Sequence, residues 1–220
     1  MKREPRMTIR TSAALLAACL LPGAAAAQPA EACDVRIWQS RDFASEAPAN
    51  YGAYGLIGAI AGSVHDSRYP EGSTEARMDV ELRADVIIPM ISKLPWAAIT
   101  KASNHSLTFV AQPITHDAIK AIRASKQRNS EAAAPCAVEF YMDRTTFLGG
   151  MVQSNLMSEF TIRHFNGPTL RTVNGKSFKK VKGFPAKDEA GVDAASASLR
   201  AAFADNLGDF VAKKFPVKGR

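Results

Sequence analysis

Apolar and polar positions alternate most regularly in the second half of the chain. Residues 136–142 are apolar and β-prone, and across residues 156–165 Leu156, Phe160 and Ile162 fall on or near one face. Both spans predict strands. Gly149-Gly150 marks a bend and Asn166-Gly167-Pro168 a turn. The β-prone runs 169–173 and 176–181 flank Asn174-Gly175, and an Asn-Gly pair in that setting predicts a hairpin. Over residues 188–215, Val192, Ala195, Leu199, Phe203, Leu207 and Phe210 recur at spacings of three and four, a long amphipathic helix closed by Pro216.

The first half is patterned in shorter pieces. Residues 34–38 alternate as a strand would. Ser73 or Thr74 can cap a helix over residues 75–88, with Met78, Leu82 and Val86 as its buried face and Pro89 kinking or ending it. Leu94-Pro95-Trp96 opens a second short helix, proline being tolerated where the missing N–H has no partner to lose. Residues 106–111 read as a strand. Thr115 caps a helix whose face runs through Ile119, Ile122 and Lys126 and which dissolves in the polar residues 125–130. Strands, a hairpin and a covering helix describe an α+β fold: an antiparallel sheet with a C-terminal hairpin, covered on one face by helices including the long last one. A single domain is expected over residues 28–220, without internal repeat or linker.

The beginning of the chain changes the picture. Lys2, Arg3, Arg6 and Arg10 precede a short apolar stretch over residues 11–21, followed by Pro22-Gly23 and four alanines. A basic head, a greasy run and small residues form a secretory signal peptide over residues 1–27, too short in its apolar part to span a bilayer. The expected address is the periplasm. Leu16-Ala17-Ala18-Cys19 also matches a lipobox, so lipidation of Cys19 and membrane attachment stand as the alternative. Against it, the apolar run continues past the cysteine. Residues 51–64 are rich in glycine and alanine, with Gly58 and Gly62 in a G-x-x-x-G pair. They read as a tightly packed helix or buried loop, the alternative being a surface-inserting hairpin.

Cysteine usage agrees with export. Outside the leader only Cys33 and Cys136 remain, and an oxidising compartment favours one disulfide between them. Closing a loop of about 100 residues would stabilise the fold by about 4–5 kcal/mol in the chain-entropy treatment. Two unpaired buried thiols are the alternative. No metal site is expected, because neither cysteine has a second cysteine or a histidine at ligand spacing, and no cofactor is expected either.

At 46% hydrophobic and 22% charged residues the composition is that of an ordinary globular protein. Of the chain's formal charge of +7, the excess outside the leader lies in residues 176–220, with ten basic and five acidic residues. That is too diffuse to point to nucleic acid. No catalytic residue is identified. His65, His105, His116 and His164 stand in no metal-binding pattern. His65-Asp66 is the nearest thing to an oriented base, His116 reads as a solvated neighbour of a helix cap, and His164 as a partly buried sheet residue. Asp66, Asp85, Asp143 and Glu159 are scattered. No nucleophile elbow, phosphate loop or dinucleotide fingerprint occurs, which leaves open a site assembled from distant residues.

The candidate binding residues are Lys176, Phe178, Lys180 and Lys182, which a strand would place on one face as a basic strip around an aromatic ring. Such a strip suits anionic groups of lipid or glycan. Lysines on an edge strand also discourage edge-to-edge pairing, a role that needs no ligand. Lys213, Lys214 and Lys218 complement a helix C-terminus.

The leader, Tyr54-Gly55-Leu56-Ile57-Gly58-Ala59, the helix after it, the Asn-Gly hairpin and the last helix together resemble uncharacterised envelope proteins and lipoproteins of Gram-negative bacteria. The second half is similar in pattern to auxiliary lipoproteins of envelope transport systems. The resemblance implies a non-enzymatic accessory or binding role in envelope assembly or transport, with an envelope protein or an anionic lipid or glycan as partner. An envelope hydrolase, or a lipid or lipopolysaccharide binder working through the basic hairpin, are the alternatives.

Overall fold

The computed structural model describes residues 32–41, 43–46, 73–131, 134–149 and 153–216. The leader, Cys19, the glycine-rich residues 51–64, the His65-Asp66 pair and Gly150 lie outside them.

Strand β1 (Cys33–Gln39) is followed by the short β2 (Ala44–Glu46), helices α1 (Thr74–Glu81), α2 (Ala84–Ser92) and α3 (Trp96–Thr100), strand β3 (His105–Phe109) and helix α4 (His116–Ala124). Three 13-residue strands then form a meander: β4 (Cys136–Leu148), β5 (Ser154–Asn166) and β6 (Thr169–Val181). A short 3-10 turn (Glu189–Gly191) leads into helix α5 (Val192–Lys214). The sheet runs β3-β1-β4-β5-β6, with β2 also on β4. The meander is antiparallel, whereas β1 and β2 pair with β4, and β3 with β1, in parallel. This is the expected α+β fold, but its sheet is mixed and not purely antiparallel: the helical segments before β3 and β4 supply the long crossovers that parallel pairing with β1 requires.

Alternation decides the layers. Phe140, Phe160 and Ile162, with Val35 and Ile37, point to the face covered by α5 and by α1 to α3, where Met78, Ile87, Ile91, Trp96, Leu199, Phe203 and Phe210 complete the main core. Its aromatic rings touch in succession, Trp96 to Phe140 to Phe160 to Phe203 and Phe210. On the other face α4 lays Ile119 against Trp38 and Tyr141, whose rings stack at 4.9 Å.

Several local expectations are met. Ser73 Oγ accepts from Ala76 N–H at 3.1 Å and Thr115 Oγ1 from Ala118 N–H at 3.2 Å, satisfying first-turn donors. Others are corrected. Asn174-Gly175 is not a turn: β6 runs through it, and the reversal is made by Gly167-Pro168, with Gly167 at φ 55°. A two-residue turn with glycine first suits the strand twist, and it leaves Gly175 to be used for packing. The helix expected over 75–88 breaks at Leu82–Arg83, so the second piece buries Ile87 and Ile91 and leaves Val86 only partly covered. Pro89 sits inside α2 and does not end it. On α5 the apolar face holds from Ala195 onward, but Val192 is 44% exposed.

Candidate functional site

Strand β6 is one of the two outer strands of the sheet among the described residues, and its burial alternates along its length. Lys176, Phe178 and Lys180 are exposed; Ser177, Lys179 and Val181 turn toward α5. Phe178 is 56% exposed, opposite Met157 of β5. Lys176 is tethered to Glu159 at 2.9 Å. Lys180 and Lys182 enter no ion pair among the described residues. Lys182 lies just past the strand, its backbone N–H donating to Ser198 Oγ at 2.8 Å, so the strip proper is Lys176, Phe178 and Lys180, with Lys182 at its end. Lys179, between them in sequence, belongs to the other face and pairs with Asp209 at 2.8 Å; the hydrogen bond to that carboxylate raises its pKa.

Behind the strip, on the same face of the sheet, lies a buried polar network that spacing did not reveal. Glu139 and Arg163, both fully buried, meet at 2.7 Å. Glu139 Oε1 also accepts from Asn129 N–H at 2.6 Å and Ser130 N–H at 2.7 Å, and its other oxygen from the Tyr141 hydroxyl at 3.0 Å. Arg163 donates to the carbonyls of Ser125 and Gln127 at 2.8 and 2.9 Å. The pair therefore pins the polar residues after α4 onto the sheet. Burial, and then the Glu139 carboxylate, push the Tyr141 phenol above its usual range and keep it a donor.

Asp143 is the extra residue of a β-bulge between Met142 and Arg144. Its Oδ2 accepts from Arg123 at 2.5 Å and from Thr161 Oγ1 at 2.9 Å. His116 Nδ1 stands 3.7 Å from its Oδ1, beyond hydrogen-bond range, and neither atom has a hydrogen-bond partner among the described residues. His116 is thus not a solvated cap neighbour: α4 carries it to a buried carboxylate 27 residues away in the chain. A void of about 60 Å³ adjoins this cluster, lined by Arg123, Asp143, Glu159 and Lys176 among others. Its charges are self-neutralising, and its room fits water more than a substrate. The sequence cue was a pair of carboxylates, Glu139 and Asp143, inside a strand whose other residues up to Met142 are apolar.

His164 is 7% exposed, with Nε2 3.5 Å from Cys136 Sγ. Burial, then Lys101 and Arg171, hold its pKa below the ordinary range. Cys33 and Cys136 are joined, as expected, by a disulfide across the in-register pair of β1 and β4. His105 is exposed beside Trp96. A separate open depression of about 510 Å³ sits at the β5–β6 turn, lined by Lys126, Arg128, Phe165, Gly167, Pro168 and Leu170. It lies at the far end of β6 from Lys180, so strip and depression are distinct.

Comparison with known proteins adds little to this geometry. No family model and no curated protein matches the chain. Among solved structures, the hypothetical protein CT253 from Chlamydia trachomatis is similar at 7% identity and a TM-score of 0.38, covering 84% of this chain and 96% of that one. An uncharacterised protein is similar at 11% identity and a TM-score of 0.34, covering 84% and 92%. Likeness at that level carries no argument about function. No helix among the described residues is long and apolar enough to cross a membrane. The disulfide is compatible with a location outside the cytoplasm.

Proposed function

We propose that this is an exported binding protein of the Gram-negative periplasm. In this reading it serves an envelope assembly or transport process by holding an anionic envelope component on the Lys176–Phe178–Lys180 strip. The observation that carries it is Phe178, more than half exposed on an outer strand between two lysines. A large apolar side chain left more than half exposed there supplies what a phosphate-bearing amphiphile needs: apolar contact flanked by cations. Lys182 extends the positive charge past the strand end. Cleavage after Ala27 would release the domain; lipidation at Cys19 would instead tether it, and the N-terminal mass of the mature protein separates the two.

The test is co-sedimentation with phosphatidylglycerol vesicles and, separately, with purified lipopolysaccharide, against phosphatidylcholine vesicles as the uncharged control. Binding to one or both anionic surfaces should weaken with salt and fall at least about tenfold in a Phe178→Ser/Lys180→Gln/Lys182→Gln variant. Equal binding by that variant, or no binding to either anionic surface, overturns the reading.

A hydrolytic reading has one observation in its favour, the His116–Asp143 pair at a bulge, a place where side chains are often re-aimed for chemistry. It requires esterase or phosphatase turnover that His116→Ala abolishes while the fold persists.

A further inference from the structure

Spacing along the chain leaves Cys33, Cys136 and His164 unrelated, and the sheet gathers them. Strands β1 and β4 put the cysteines in register with Cα atoms 4.7 Å apart. Strand β5 then returns antiparallel and sets His164, opposite Val138, diagonally across from Cys136 on the same face. One ligand atom from each of the three lies within 4.8 Å of the others, all of them buried. We propose that reduction of the Cys33–Cys136 disulfide converts this trio into a binding site for a thiophilic divalent cation, zinc above all, held by two thiolates and one imidazole.

The distances fit that ion. Tetrahedral zinc, with bonds of about 2.3 Å to sulfur and about 2.0 Å to nitrogen, needs sulfur and nitrogen about 3.5 Å apart and its two sulfurs about 3.8 Å apart. Cys136 Sγ and His164 Nε2 are already 3.5 Å apart. Two cysteines whose Cα atoms are 4.7 Å apart reach the sulfur spacing by side-chain rotation once they are no longer bonded. Donor chemistry agrees, since thiolate with imidazole selects zinc over the oxygen-seeking magnesium and calcium. Two thiolates around a dication sum to zero charge, as a buried site demands. Water can complete the fourth position.

The chemical step balances with a dithiol reductant. One reductant thiolate attacks a sulfur of the disulfide and forms a mixed disulfide, expelling the other cysteine as thiolate. The second reductant thiol closes its own disulfide and releases the first cysteine. Two electrons and two protons pass to the protein, and the two protons leave again when metal binds. In the oxidised chain the sulfurs are spent on each other, so metal occupancy would report the redox state of the disulfide.

The experiment titrates cobalt(II), then zinc, into the mature protein, oxidised or reduced anaerobically with a phosphine that is then removed. One cobalt per reduced chain is expected, with a thiolate charge-transfer band and tetrahedral d–d absorption, displaced by zinc, and none in the oxidised chain. His164→Ala should weaken cobalt binding more than about tenfold, a loss that even an outer partner of a metal site can cause. Near-ultraviolet circular dichroism follows folding in parallel. If the reduced chain loses its fold, one equivalent of zinc should restore it. Cobalt bound equally by oxidised protein or by His164→Ala, a reduced folded chain that binds none, or a reduced unfolded chain that zinc fails to refold each overturns the proposal.

Discussion

Phe210 of α5 packs against Gly175 of β6: a Cβ built there would stand 3.2 Å from the ring carbons Cδ2 and Cε2 and 3.4 Å from Lys214 Cε. The ring is 3% exposed, with its centroid 5.3 Å from that of Phe160, so it has nowhere to recoil. This contact explains why a glycine occurs in the middle of a continuous strand. Gly175→Ala should lower stability by about 1 kcal/mol and Gly175→Val by about 3 kcal/mol, the usual span for overpacking. Urea denaturation checks it; a stabilised Gly175→Val would show that the helix does not seat here.

The Glu139–Arg163 pair makes a second expectation. Replacing Arg163 by Met strands a fully buried carboxylate, which costs about 3–5 kcal/mol. Replacing Glu139 by Gln in the same chain should recover a large part of that loss. Comparing urea midpoints of the single and double variants measures the recovery, and strict additivity would contradict the coupling.

Stability should also depend on pH through His164. Its pKa in the fold is depressed below the ordinary value of 6.5, so between the two the unfolded chain binds the additional proton. The stabilising contribution is complete above 6.5 and is lost as pH falls toward the folded-state pKa. Thermal melts of the oxidised protein should therefore lose stability on acidification through that window, and His164→Gln should flatten the slope there. An unchanged slope in His164→Gln would assign it to other groups.

Phe178 and Lys180 should behave in the opposite way to these buried residues. Substituting them by Ser and Gln removes exposed groups only, so stability should stay within about 0.5 kcal/mol of the native protein while the proposed binding falls. A large stability loss would mean that the strip belongs to the fold.

What the chain alone determined was local. Alternation marked β1 and β5 and an apolar, β-prone run marked β4; the hydroxyls of Ser73 and Thr115 marked helix starts; three-and-four spacing marked the last helix; and two cysteines outside the leader marked the disulfide. These signals survive because each depends on neighbours within a turn or on a single pairing. Only the tertiary structure decided the rest. It carried β6 straight through Asn174-Gly175, where Phe210 packs against the bare backbone of Gly175, and left the reversal to the turn already legible at Gly167-Pro168. It also assembled Glu139 with Arg163, Asp143 with His116, and His164 with the disulfide, from partners 24 to 28 residues apart or more. Strand register and a bulge fix those meetings, and register is settled by burying whole faces at once, a property no short window of sequence contains.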